Sequence, residues 1–191
     1  MTARILARSA RAASGLSQSE LAIRSGIASS SLSLIERGKR EPTLATLETL
    51  LRATRHTVVT VPTVRSDASR IAVEISEAVS ALDHALTFRL FLQLADNLAA
   101  EHGATRVGLT LTEPAPTGSA EWDSAIAALC EYRLTKDKLP VPNWVVRRPG
   151  NRESLWSPHT SDYDIPPDLS QVPEEFLRRG ILIEAATLES A

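Results

Sequence analysis

The chain has 191 residues, 43% apolar and 23% charged, with a formal net charge of −2. This is the profile of a globular protein with room for one large domain or two small ones, and it excludes disordered and fibrous classes. The single cysteine, Cys130, excludes an internal disulfide and a cysteine-rich zinc site, and no apolar run approaches the ~18 residues that span a bilayer.

The small net charge hides an asymmetry. Residues 1–62 carry nine Lys/Arg and four Asp/Glu, a net of +5, whereas residues 63–191 carry twelve and nineteen, a net of −7. A basic front part joined to an acidic remainder is expected when only one part meets phosphate. The acidic part also suits a basic protein partner, although surplus acid serves solubility as well.

In chain order, residues 2–14 read as a helix, with Ile5, Leu6, Ala12 and Ala13 on a partial stripe and Arg4, Arg8 and Arg11 facing out. Arginines without acid superficially suggest a transit peptide, but the helix reading fits better and leaves a cytoplasmic protein. Ser17 is placed as an N-cap with Glu20 three residues on, a capping box that opens a helix over 17–25. Gly26 permits a tight change of direction. Ile27, Leu32 and Ile35 supply the stripe of the next helix, 28–37, and a basic Gly38-Lys39-Arg40 loop follows. Thr43 caps a fourth helix, 43–53, with Leu44, Leu47, Leu50 and Leu51 inward, and a last turn is expected near 54–57.

Two short helices with a glycine turn and a basic loop are the build of a helix-turn-helix reader, whose second helix enters the major groove. Leu16, Gln18, Leu21, Ala22, Gly26, Leu32, Ile35, Glu36, Gly38, Pro42 and Leu44 stand at fixed offsets that resemble the Xre family, of Cro and phage-repressor type. The resemblance covers about the first third of the chain and implies binding to double-stranded operator DNA. It places Gln18 where a side chain bonds a phosphate or braces a base-reading residue. Ser29, Ser30, Ser33 and Leu34 become the base-facing positions. Family members often carry long polar residues there, so direct readout by three hydroxyls and a leucine looks thin, and water-mediated and shape-dependent readout gain weight. Arg37, Lys39 and Arg40 suit phosphate contacts, and Glu36 suits a structural pair within the domain.

Beyond the reader, TVVTVPTV (57–64) is β-branched and reads as a short strand ended by Pro62, with a linker over 62–67. Ile71, Ile75, Ala78, Val79 and Leu82 mark a helix from Asp67, and Leu86, Leu90, Phe91, Leu94 and Leu98 mark a second, stopped by Gly103. These two would pack as a hairpin and are wide enough in apolar surface to serve a dimer as well. TRVGLTLT (105–112) alternates like a strand. Ser119 caps a helix over about 120–134 with Trp122, Ile126, Leu129 and Cys130 inward. Residues 140–173 read as loop pinned by Trp144, Trp156 and Tyr163, rings that could instead anchor a partner, while Trp122, Trp144 and Trp156 could line a ligand pocket. VPEEFLRRG reads as a helical turn or two, and ILIEA as a short strand.

The fold expected is mainly α: a helix-turn-helix domain of four or five helices over 1–62, and a mixed α+β domain over 67–191. His56, His84, His102 and His159 stand in no ligand spacing, and Asp162 and Asp164 form a loose acid cluster, so neither metal nor cofactor is expected. No nucleophile–base pair or phosphate loop points to an enzyme. PVPNWV (141–146), SLW (154–156) and residues 173–190 resemble Xre-type regulators encoded beside nucleotidyltransferase-like toxins. That resemblance implies an autorepressing antitoxin that binds, or otherwise silences, its toxin. The alternative is a stand-alone regulator whose rear domain senses a small ligand. A homodimer is expected separately, because one helix-turn-helix unit reads only a few base pairs and two-fold symmetry doubles the readout.

Overall fold

The computed structural model describes residues 3–148, 150–151, 153–158 and 167–189. It divides into two compact units, Met1–Pro62 and Thr63–Ala191. Among the described residues no helix is long and apolar enough to cross a membrane, and no group of acids, histidines or cysteine could hold a metal ion.

The first unit contains α1 (Ala3–Ala13), α2 (Gln18–Ser25), α3 (Ser29–Glu36) and α4 (Leu44–Ala53). Its core joins Ala7 and Ala10 of α1, Leu21 and Ala22 of α2, Leu32 and Ile35 of α3, and Leu47, Leu50 and Leu51 of α4. These apolar side chains recur at helical spacing, and burying each of the larger ones contributes about 1.5–3 kcal/mol. Leu44, expected inward, is exposed at the first turn of α4. Thr43 caps that helix, its hydroxyl accepting from the Thr46 N–H at 3.2 Å. The final turn expected near 54–57 is not helical: Thr54 ends α4, and Arg55 takes a left-handed φ of 60°.

In the second unit Asp67 caps α5 (Ala68–Ser80) by accepting from the Ser69 and Arg70 N–H groups. Asp83 caps α6 (His84–Ala100), and the two helices pack as a hairpin. Of their stripes, Ile71, Ile75, Phe91, Leu94 and Leu98 are fully buried inside the unit, whereas Leu82, just after α5, and Leu86 of α6 are exposed. Ser119 caps α8 (Ala120–Lys136), the central helix. Trp122, Ile126, Leu129 and Cys130 of α8 lie inward as expected, and burial pushes the Cys130 thiol up to about 12, so it is an inert core group. Short helices α9 (Asn143–Val146), α10 (Glu174–Leu177) and α11 (Ala185–Glu189) complete the unit with a 3₁₀ turn at Leu169–Gln171.

The mixed α+β expectation for this unit is overturned: it is helical, with no strand or sheet among the described residues. Residues 105–108 lie in α7 (Gly103–Gly108) instead, 109–112 follow it as a turn, and Gly103 opens that helix rather than closing α6. The physical reason sits at Arg106. Its buried guanidinium donates to the Glu101 carbonyl at 2.7 Å, the Arg133 carbonyl at 3.0 Å and Asp137 Oδ2 at 2.6 Å. A helix bonds its own backbone, whereas a strand needs a neighbour, and none is offered to this segment. ILIEA forms one isolated parallel bridge, Ile181 with Trp156, before α11 begins. Residues 57–61 run outside any helix or strand.

Of the rings in the proline-rich stretch, Trp144 is buried in the core and Trp156 is half-buried against it. Trp144 is buried and donates its indole N–H to the Thr110 carbonyl at 2.8 Å. Trp156 meets Trp122 edge-on at 4.9 Å between ring centroids. Arg179 staples these loops, donating to the carbonyls of Arg148 (2.9 Å), Glu175 (2.8 Å) and Val145 (3.0 Å). Tyr163, His159, Asp162 and Asp164 lie outside the described residues.

Candidate DNA-binding surface

The capping box at the start of α2 forms as the sequence predicts. Ser17 Oγ accepts from the Glu20 N–H at 3.2 Å, and Glu20 Oε2 accepts from the Ser17 N–H at 2.7 Å. Hydrogen bonding to the carboxylate from the Ser17 backbone N–H, and then from its hydroxyl, holds the Glu20 carboxyl below its ordinary value. Gly26 closes α2 in the left-handed conformation, φ 68°, which a side chain would disfavour, and so sets the turn into α3.

Helical phase decides what α3 presents. Leu32 and Ile35 point into the core, so Ser29, Ser30 and Leu34 fall on the outside and Ser33 is half-buried. Leu34 is 41% exposed, an apolar group in a row of hydroxyls. After α3 the chain folds back: the Gly38 N–H donates to the Ile35 carbonyl at 2.9 Å, and the Lys39 N–H to the Leu34 carbonyl at 2.9 Å. This closes the orphan carbonyls of the helix and fans Arg37, Lys39 and Arg40 into solvent. None of these three forms an ion pair among the described residues. Arg40 donates to Ser31 Oγ at 3.0 Å, which brings its guanidinium back beside α3.

Behind this face lies a buried polar cluster. Arg11 of α1 makes a two-pronged bond to Glu36 of α3, Nε to Oε1 at 2.6 Å and an Nη to Oε2 at 3.0 Å, and a third donor reaches the Leu16 carbonyl at 2.8 Å. Gln18 Nε2 donates to Glu36 Oε2 at 2.8 Å. Its amide must point this way, because its carbonyl oxygen would face a carboxylate. One acid thus ties three helices, and Gln18 is braced at the start of α2. The expected structural pairing of Glu36 is present. Arg11 is the correction: expected outward, it is turned in, and its charge is matched by Glu36 rather than free for phosphate. Its partner stands twenty-five residues away, beyond any local spacing signal. Arg8 is exposed, and Arg4 is half-buried with its side chain running across Gly38, an approach that the sequence does not signal.

The arrangement offers exposed hydroxyls and one methyl-rich group on a helix, flanked by cations and by backbone N–H groups at two helix starts. Such a face can bind an anionic polymer and touch base edges. Residues 8–55 match the helix-turn-helix family. No curated protein and no solved structure matches the chain.

Proposed function

We propose, from the premise that residues 8–55 are the DNA-binding helix-turn-helix of a transcription regulator, that the protein is a sequence-specific repressor acting as a homodimer in the cytoplasm. The observation that carries this is the exposed Ser29, Ser30 and Leu34, with Ser33 half-buried between them, beside three cations, Arg37, Lys39 and Arg40, that no carboxylate among the described residues neutralises. In the proposed docking α3 enters the major groove, the serines and Leu34 meet base edges, and the three cations and the start of α2 hold phosphates. Gln18, braced by Glu36, sets that start in place and offers its remaining amide groups to the backbone of the DNA. A single unit of this kind reads only a few base pairs, and two-fold symmetry doubles the readout.

The second unit, at net −7, is proposed to hold a basic partner, the toxin of an autorepressing toxin–antitoxin pair. The acid surplus and the resemblance of residues 173–190 support this. Trp144 is not an anchor for it, being buried in the core, whereas Trp156 is only partly buried against that core.

Full-length protein titrated with random-sequence duplex at several salt concentrations tests the DNA reading. Three to five phosphate contacts give a slope of log K against log salt of roughly −3 to −5. Salt-insensitive binding, or none, would sink it. Sedimentation of the free and DNA-bound protein tests the dimer. Co-expression with the product of the neighbouring gene, scored by co-purification and relief of growth arrest, tests the antitoxin role.

A further inference from the structure

The first unit contains arginines of two kinds, and their surroundings separate them. Arg11 has a carboxylate and a carbonyl for its donors. Arg4, two turns earlier on α1, has neither an ion pair nor a hydrogen bond among the described residues, yet it is only half-exposed. What holds it is packing across Gly38. A Cβ placed on that glycine would stand 3.0 Å from Arg4 Cδ, 3.3 Å from one terminal guanidinium nitrogen and 3.8 Å from Nε. The end of the aliphatic stem and the guanidinium therefore pass close to Gly38, in the loop that carries Arg37, Lys39 and Arg40.

A guanidinium left beside a backbone turn with no acceptor keeps its planar fork of donors for an incoming group. Burying part of the stem fixes its direction, so less conformational freedom is lost when it binds. The neighbours are cations, so the group that it can take is anionic and must already be drawn to that loop.

We infer that Arg4 is a phosphate-binding residue, seated by Gly38 as the fourth cation of the loop after α3. It extends the contacted DNA backbone from the recognition helix to the start of α1. Gly38 suits this seat by its φ of 71° and by its lack of a side chain: a Cβ there would force the Arg4 side chain to give by a few tenths of an ångström. The inference rests on the DNA-binding reading, and the experiment keeps the two apart.

Salt titrations on random-sequence duplex are run with the full-length wild type, Arg4→Gln and Arg4→Lys, with thermal melting of each. Arg4→Gln is expected to weaken binding three- to ten-fold at low salt, equally for all sequences, and to make the salt slope shallower by about 1 at unchanged melting temperature. Arg4→Lys keeps the charge and the slope. As a readout that does not depend on a folded variant, the Nε–H resonance of Arg4 in the wild type should shift when duplex is added. A steep wild-type slope that Arg4→Gln leaves unchanged, or an Arg4 resonance indifferent to DNA, overturns the inference and leaves the DNA reading standing. A wild type without salt-dependent binding removes both.

Discussion

In the first unit Arg37 and Lys39 stand in solvent without a carboxylate, whereas in the second Arg106 and Arg179 are buried with their donors turned onto backbone carbonyls. The same guanidinium chemistry serves opposite ends. Arg179 takes three carbonyls from two loops and a helix, and Glu131 Oε2 at 2.7 Å, so it closes an irregular region that no sheet organises. Arg106 gathers the carbonyls left open where α6 and α8 end. A helical unit with several short elements has many helix ends and hence many orphan acceptors, and buried arginines answer them. In the first unit capping side chains and a fold-back loop meet that need, and the cations are left free. Only Arg11 crosses the division.

The largest expected effect tests the buried side of this contrast. Arg106→Ala strands two carbonyls and Asp137, and should cost the second unit about 3–5 kcal/mol in urea unfolding. A loss below about 1 kcal/mol would mean that water replaces the staple and that the contrast is only geometric.

Glu36→Ala tests the exception. It leaves a half-buried Arg11 without its carboxylate beside an unpaired Gln18, with an expected loss of about 2–4 kcal/mol in the first unit and weaker DNA binding through the displaced α2. Stability lost with DNA affinity intact at a temperature where the variant is folded would show that Gln18 does not need its brace.

On the exposed side, Ser30→Ala and Leu34→Ala should leave stability within about 0.5 kcal/mol and change discrimination at one base position by ~1–3 kcal/mol. Site selection from a random duplex pool measures this. An unchanged preferred site would transfer specificity to DNA shape.

The smallest expected effect concerns acid. Burial raises the Glu131 carboxyl, but hydrogen bonds from Arg178 and Arg179 outweigh it and leave the group below its ordinary 4.5. A depressed folded value gives stability that is present above pH 4.5 and is lost as the pH falls from there through the folded value. Glu131→Gln should therefore flatten the acid side of the second unit's stability profile. A parallel profile would show that Glu131 carries no share of the acid loss.

The sequence by itself determined α1 to α4, because every signal involved is local. Ser17 with Glu20, Thr43 ahead of α4, Gly26 between helices and leucines at helical spacing each act within one or two turns. Helical phase likewise determined that Ser29, Ser30 and Leu34 face outward once Leu32 and Ile35 face in. The same logic placed α5, α6 and α8 through Asp67 and Ser119 and the apolar residues behind them. Tertiary structure decided the rest. Alternation over 105–112 and 181–185 is a local pattern, but a strand is completed by another strand, and among the described residues the chain supplies one bridge, at Ile181, and otherwise helices and loops. Which arginines stay free was decided there too. Arg4 and Arg11 look alike along α1, and only the fold brings Glu36 to one and Gly38 to the other, since acceptors and close approaches come from residues far along the chain.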